Sequence, residues 1–159
     1  MTSPEILSYI AGFLDGDGCI NLQIVRRKDY KLGYQIRPSV TFFQSTINRF
    51  LLEWLKSTLG VGFIRDRKDG VSEYAIVEVD SVLKVLSQLR PYVRLKTKQC
   101  DLTISVAQEL SQSRRLAPGD FLELARKVDQ FIDLNFSRKR SIRSDQVEGY
   151  LRAQQLLIP

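Results

Sequence analysis

The chain has 159 residues, with 24 Lys and Arg against 18 Asp and Glu, a net charge of +6 and a 43% hydrophobic content. Those values exclude a disordered tail and fit one globular domain with enough chain to bury a core. No apolar run reaches the ~18 residues that cross a bilayer, and no basic-then-apolar leader precedes the first helical pattern, so neither a membrane span nor a signal or transit peptide is expected.

Histidine is absent. That removes Ser-His-Asp and Cys-His triads, histidine-bound zinc and any imidazole base. Cys19 and Cys100 stand far apart and form no Cys-x-x-Cys pair, so they read as reduced thiols in an intracellular compartment. Carboxylates, amides, Lys, Arg and an oxygen-seeking cation remain for chemistry.

In chain order, Thr2 or Ser3 caps a first helix, Pro4 suits its first turn, and the helix runs to Asp15. Two alternating strands follow, with Ile20, Leu22 and Ile24 on one apolar face and Ile36, Val40 and Phe42 on the next. Pro38 shares that face, and its missing N–H predicts an edge position or a bulge. Ser45 or Thr46 opens a second helix with Ile47, Phe50, Leu51, Trp54 and Leu55 at helical spacing, stopped by Gly60. A second hairpin spans residues 63–67 and 73–77 around Lys68-Asp69-Gly70. Val82, Leu83, Val85, Leu86 and Leu89 give a third helix ending before Pro91, and further helices are predicted over residues 96–113, 120–135 and 145–157. This order predicts an α+β domain, an antiparallel sheet with helices on one face.

The other face of the sheet carries Asn21, Gln23, Arg27, Gln35, Arg37, Ser39, Thr41, Arg65, Arg67 and Glu73, with Tyr30 in the connection between the first two strands. These types hydrogen-bond base edges in a major groove, Arg reading guanine and Asn or Gln reading adenine. An ordinary wet sheet face has the same composition. The balance is shifted by residues 81–100, which hold five cations (Lys84, Arg90, Arg94, Lys96, Lys98) and no Asp or Glu, a footprint for phosphate. A late basic loop adds Arg138, Lys139 and Arg140, with Lys139 the candidate phosphate contact.

Residues 9–18 read Tyr-Ile-Ala-Gly-Phe-Leu-Asp-Gly-Asp-Gly. Ala11 and Gly12, with Gly16 four residues on, leave one helical stripe without bulk, so a second helix can approach closely. The helix then ends in a glycine-spaced acidic turn, Asp15 to Gly18, suited to a hard cation such as Mg²⁺. A plain Asp-Gly helix stop reads the same way. An EF-hand beginning at Asp15 fails, because Arg26 stands where that loop needs a glutamate.

Residues 10–18 resemble the nine-residue signature of the LAGLIDADG homing endonucleases. Residues 60–67, 88–92, 95–99, 121–123 and 128–130 are similar, in order and spacing, to the single-motif enzymes of the I-CreI type, and the likeness spans about residues 6–135. It implies an αββαββα core with an antiparallel, saddle-shaped sheet and additional C-terminal helices. Residues 1–135 would form that core, and 136–159 a basic loop and helix appended to the same domain. It implies that Asp17 binds the metal with help from the Gly16 carbonyl, that Gln44 orders solvent, and that Lys96 supports water activation or steadies negative charge. Asn48 stands where the family has an active-site arginine, and its neighbour Arg49 is the candidate substitute. The implied cofactor is Mg²⁺, with Mn²⁺ as a substitute.

Only one copy of the motif occurs, and cutting two strands takes two such sites, so a homodimer is expected, joined at Ala11, Gly12, Phe13 and Asp15. The implied partner is a long pseudo-palindromic DNA duplex, cut across a minor groove to leave short 3′ overhangs and promote intron homing. No membrane and no small-molecule substrate is expected, and the resemblance implies an organellar, chloroplast setting. An RNA maturase and a non-catalytic DNA-binding protein are the alternatives on the same scaffold.

Overall fold

Ser3 opens the first helix. In the computed structural model, which describes residues 1–135 and 141–158, its hydroxyl accepts the Ile6 N–H at 3.3 Å and Pro4 occupies the first turn. Helix α1 spans Pro4–Asp17 and passes directly into strand β1, Gly18–Arg26. The expected acidic turn is therefore helical to its last aspartate, and the reason is local. The Gly18 N–H bonds the Leu14 carbonyl, and a Cβ on Gly18 would meet Leu14 atoms at 2.7 to 2.8 Å. Glycine lets the strand leave the helix without an intervening turn.

Strands β1, β2 (Tyr34–Ser45), β3 (Phe63–Asp66) and β4 (Val71–Ile76) form one antiparallel sheet in the order β1-β2-β4-β3. Their inner side chains, including Ile20, Leu22, Ile36, Val40, Phe42, Tyr74 and Ile76, are buried with the helices in one core. Pro38 pairs with Leu22 of β1, while pairing of β2 with β4 begins only at Val40. Pro38 thus sits where β2 has a strand on one side alone, the edge position its missing N–H requires.

The second helix departs from its expected start and face. Thr46–Asn48 form a 3₁₀ turn, and α2 begins at Arg49 and runs to Leu59. Its buried stripe is Leu52, Leu55 and Leu59, whereas Ile47 and Phe50 are 90% and 66% exposed. Two apolar stripes compete here, both at steps of three and four, and the leucine stripe is the one that faces the sheet. The loser lies beside α1, where Tyr9 and Trp54 meet edge to face with ring centres 5.7 Å apart.

Helix α3 (Val79–Leu89), α4 (Thr97–Gln112), α5 (Pro118–Leu134) and α6 (Ser144–Ala153) complete the chain. α6 stops short of Leu157 because Gln155 turns left-handed (φ 56°) and the Leu156 N–H closes onto the Leu151 carbonyl at 2.9 Å. Val147 and Leu151 join the common core. Among the described residues no helix is long and apolar enough to cross a membrane.

Gly62 precedes β3 at φ +82°, where a Cβ would lie 2.5 Å from the Ala75 carbonyl oxygen. Gly62→Ala is expected to cost about 1 to 3 kcal/mol, read as a fall in the urea midpoint. Gly119→Ala, whose Cβ would meet nothing within 4 Å, is the control that should not share the fall.

Candidate active site and nucleic-acid face

Two aspartates at the end of α1 have opposite fates. Asp15 is fully engaged within the chain: Oδ2 accepts the N–H groups of Arg94 at 2.8 Å and Leu95 at 3.0 Å, and Oδ1 accepts that of Lys96 at 3.1 Å. Lys96 returns the bond, its Nζ donating to the carbonyls of Leu14 at 3.0 Å and Asp15 at 2.7 Å. Those carbonyls belong to the last helical turn, which carries the negative end of the helix dipole; that of Leu14 also accepts the Gly18 N–H. Asp17, two residues on, is exposed, and its carboxylate has no hydrogen-bond or ion-pair partner among the described residues.

Partial burial pushes the Asp15 carboxyl up, but the three backbone N–H bonds and the Lys96 ammonium together outweigh it, and the group ends below the ordinary carboxylate range. Its stabilisation is therefore present above the unfolded value and lost as pH falls through the folded one.

Gln44 lies two residues past Phe42, the register partner of Gly18, at the end of β2 that adjoins the α1–β1 junction. Its Oε1 accepts the Ser45 N–H at 3.0 Å. Arg49 points its guanidinium elsewhere. Nε donates to both Asp66 oxygens, at 3.0 and 3.3 Å, and Nη1 pairs with Glu53. The structure thus brings Lys96 to the helix end that bears Gly16 and Asp17, sets Gln44 on the strand end next to it, and leaves Arg49 in an ion-pair network of its own.

Of the expected interface residues, burial removes Ala11 alone. Ala11 is fully buried in its own chain's core, and the Phe13 ring lies 5.7 Å from that of Phe42. Phe13 and Asp15 are half-buried, and Gly12 is the exposed member of the four. A helix turns 100° per residue, so the bare exposed stripe is Gly12 with Gly16, and a Cβ on either would meet nothing within 4 Å.

On the outer sheet face, Asn21 pairs with Ser39, Gln23 with Arg37 and Cys19 with Thr41. Arg27 lies just past β1, where it donates to Gln35 at 2.8 Å, pairs with Asp29 at 3.0 Å and stacks 4.5 Å from the Tyr30 ring centre. Arg65 and Arg67 both reach Glu73, at 2.6 and 3.3 Å. Lys139 lies outside the described residues. Cys19, Phe43 and Phe63 also face outward, flagged by the same alternation but hidden by their apolar character. Of the five cations in residues 81–100, Arg90 is neutralised by Asp101 and Lys96 is turned onto α1.

Among the described residues no three acidic, cysteine or histidine side chains gather to form a closed metal site. A Mg²⁺ ion does not need one, since it keeps several waters and takes one or two carboxylates plus substrate phosphates. The free Asp17 carboxylate and the Gly16 carbonyl, oxygen donors at a helix's negative end, fit that demand.

A one-motif helix leading into a saddle of reading strands defines a class. A sequence model of the LAGLIDADG endonucleases matches residues 10–106, and the chain belongs to that family. It is 39% identical over 145 residues to the DNA endonuclease I-CvuI of Chlorella vulgaris, spanning 91% of this chain and 89% of that protein. It is 37% identical over 149 residues to the DNA endonuclease I-CreI of Chlamydomonas reinhardtii, spanning 94% and 90%. The crystal structure of I-CvuI in complex with its target, in the presence of 2 mM Ca, covers 97% of both chains at a TM-score of 0.91 and 37% identity. The archaeal intron-encoded I-Vdi141I complexed with DNA shares the fold, with a TM-score of 0.84 at 20% identity over 96% and 98% of the chains.

Asp15→Asn keeps one acceptor oxygen and loses the charge. It should lower stability by about 1 to 3 kcal/mol near neutral pH. The gap between wild type and variant should begin to narrow as pH falls below about 4, the ordinary aspartate value, and close only below the lowered folded value of the wild-type carboxyl. Thermal melts of both proteins across that range check this, and a gap that persists in acid would refute it.

Proposed function

We propose that the chain is a site-specific homing endonuclease that acts as a homodimer and makes metal-dependent double-strand breaks in a long pseudo-palindromic DNA site, promoting intron homing. The observation that carries this reading is the uncommitted Asp17 carboxylate at the end of α1, beside an Asp15 wholly spent on holding Lys96 in place. Asp17 and the Gly16 carbonyl are the ligands we assign to a Mg²⁺ ion, with Mn²⁺ as a substitute. When bound, that ion supplies Lewis-acid polarisation of the phosphate and lowers the pKa of a water.

The chain's own residues do the rest. Lys96, fixed against the helix end, offers a positive charge where negative charge develops. Gln44 has an amide that orients a water for in-line approach. Arg49 takes no part in the chemistry in this reading, because its guanidinium is held by Asp66 and Glu53. On the sheet, Arg65 and Arg67 share the Glu73 carboxylate, which limits their rotamers before DNA arrives and aims them at guanine edges. Asn21, Gln23, Gln35, Arg37, Ser39 and Thr41 extend the reading surface, Arg27 and Tyr30 close its outer end, and Lys139 is assigned a phosphate. The I-CvuI and I-Vdi141I structures were solved with DNA, which supports a duplex partner. The algal sources of two relatives support an organellar, chloroplast setting.

A single motif gives one Asp17 per chain, so each strand needs its own protomer. The Gly12–Gly16 stripe is where two copies of α1 would cross, bringing both aspartates to neighbouring phosphates.

A cleavage screen on a randomised palindromic duplex library, with and without Mg²⁺, tests the reading. Asp17→Asn should bind the recovered duplex with wild-type affinity and make no double-strand break. Full cleavage by that variant would sink the assignment. Gly12→Leu adds bulk that the single chain tolerates, so its fold should survive while overpacking costs the dimer about 1 to 3 kcal/mol per site. Sedimentation should then find monomer where wild type is dimeric, and a variant that stays dimeric at low concentration rejects the interface.

A further inference from the structure

The sheet carries a second row that no part of the mechanism has used. Gln44 pairs with Ser72 and Ser72 with Asp66, so residues of β2, β4 and β3 stand in line. The neighbouring row is Phe43, Glu73 and Arg65. One row therefore ends on a residue assigned to the site and begins at Asp66, between the two arginines assigned to bases. Ser72 is fully buried, and its hydroxyl donates to Asp66 Oδ1 at 2.6 Å. A serine hydroxyl has one hydrogen, so in the 2.9 Å contact with Thr46 it is the Thr46 Oγ1 that donates. The Thr46 N–H bonds the Gly70 carbonyl at 2.8 Å, and Asp66 accepts Arg49 Nε at the start of α2. The tip of the β3–β4 hairpin is thus fastened to the segment that immediately follows Gln44. Every polar atom in the link has a partner, as a buried polar group requires.

We propose that Ser72, with Thr46 and Asp66, is a positioning network that couples docking of the arginine hairpin on DNA to the placement of Gln44, so that base recognition is expressed in the cleavage step as well as in binding. The proposal rests on the endonuclease reading above. Its physical basis is that Arg65 adjoins Asp66 in the chain, so a shift of β3 on engaging a base is carried through two short hydrogen bonds to the β2–α2 connection. Misplacing a reacting group by about 1 Å can cost roughly 100-fold in rate, so a small displacement is enough.

The test uses the full chain and the duplex recovered from the library. Binding is measured without added metal, and single-turnover cleavage is measured with Mg²⁺ at saturating protein. Ser72→Ala and the isosteric Thr46→Val should bind within about twofold of wild type yet cut about 10- to 100-fold more slowly. Thr46→Ser, which keeps the hydroxyl, should restore the wild-type rate. In wild type, a changed base pair opposite Arg65 should slow the saturated rate, and in Ser72→Ala that extra slowing should vanish. An unchanged rate in both slow variants overturns the proposal. So does a loss of rate matched by equal losses of binding and melting temperature, or a Thr46→Ser protein as slow as Thr46→Val. A wild-type chain that cuts no duplex in the library overturns the endonuclease reading itself, and the coupling falls with it.

Discussion

Asp15 and Lys96 lie 81 residues apart and hold one another. The carboxylate holds the backbone N–H groups of the three residues that lead into α4, and the ammonium caps carbonyls that close α1. The Asp15 side chain satisfies the approach to α4 and the Lys96 side chain the end of α1, so the two segments are tied in both directions. The placement of the helix end that bears the candidate metal ligands follows from this clamp. It fixes the direction in which α1 ends, and so where Asp17 emerges and where β1 departs. It also sets a cation on the carbonyls two and three residues before the free carboxylate without pairing the two. Were Lys96 to pair with Asp17 instead, the carboxylate would be spent before a metal arrived.

The helix that bears the site is divided by its own geometry. Ile10, Ala11 and Leu14 go to the core, and Gly12 and Gly16 face out. A small residue means different things on the two sides. Ala11 permits close packing inside the chain, whereas Gly12 leaves room outside it. The exposed apolar side chains Tyr9, Phe50 and Trp54 stand on the same side of the molecule, so the bare stripe adjoins a surface that gains by being covered.

Much of this was legible in the residues, and the failures share a cause. Strand alternation located the buried face through Ile20, Val40 and Phe42, because period two survives any tertiary context. Pro38 announced its edge by chemistry alone. Helix faces were harder: α2 offered two apolar stripes, and only the sheet beneath decided between them. Ala11 and Gly12 looked like one stripe because adjacent small residues read as one feature in a string, although they point 100° apart on a helix. The spending of Asp15 had no local signal, and that of Arg49 had only Glu53 four residues on. Their partners, Arg94 to Lys96 and Asp66, are distant in sequence, and a sequence shows which groups are present without showing which are already taken.

That distinction bears on how a basic chain reads DNA rather than merely gripping it. Arg27, Arg65, Arg67 and Arg90 are each held by a carboxylate, so much of the formal charge is spent within the chain. Glu73 is the instructive case. Its side chain is only 13% exposed beneath Arg65, which is 66% exposed. A carboxylate in that position repels an approaching phosphate, which a bare arginine pair would attract at any sequence. A guanine edge, neutral and offering two acceptors, engages the free side of a guanidinium without displacing the carboxylate from the other. An exposed ion pair of this kind adds little stability. Under the proposed function its effect would be selective, lowering affinity for backbone everywhere while leaving the gain from the right base intact.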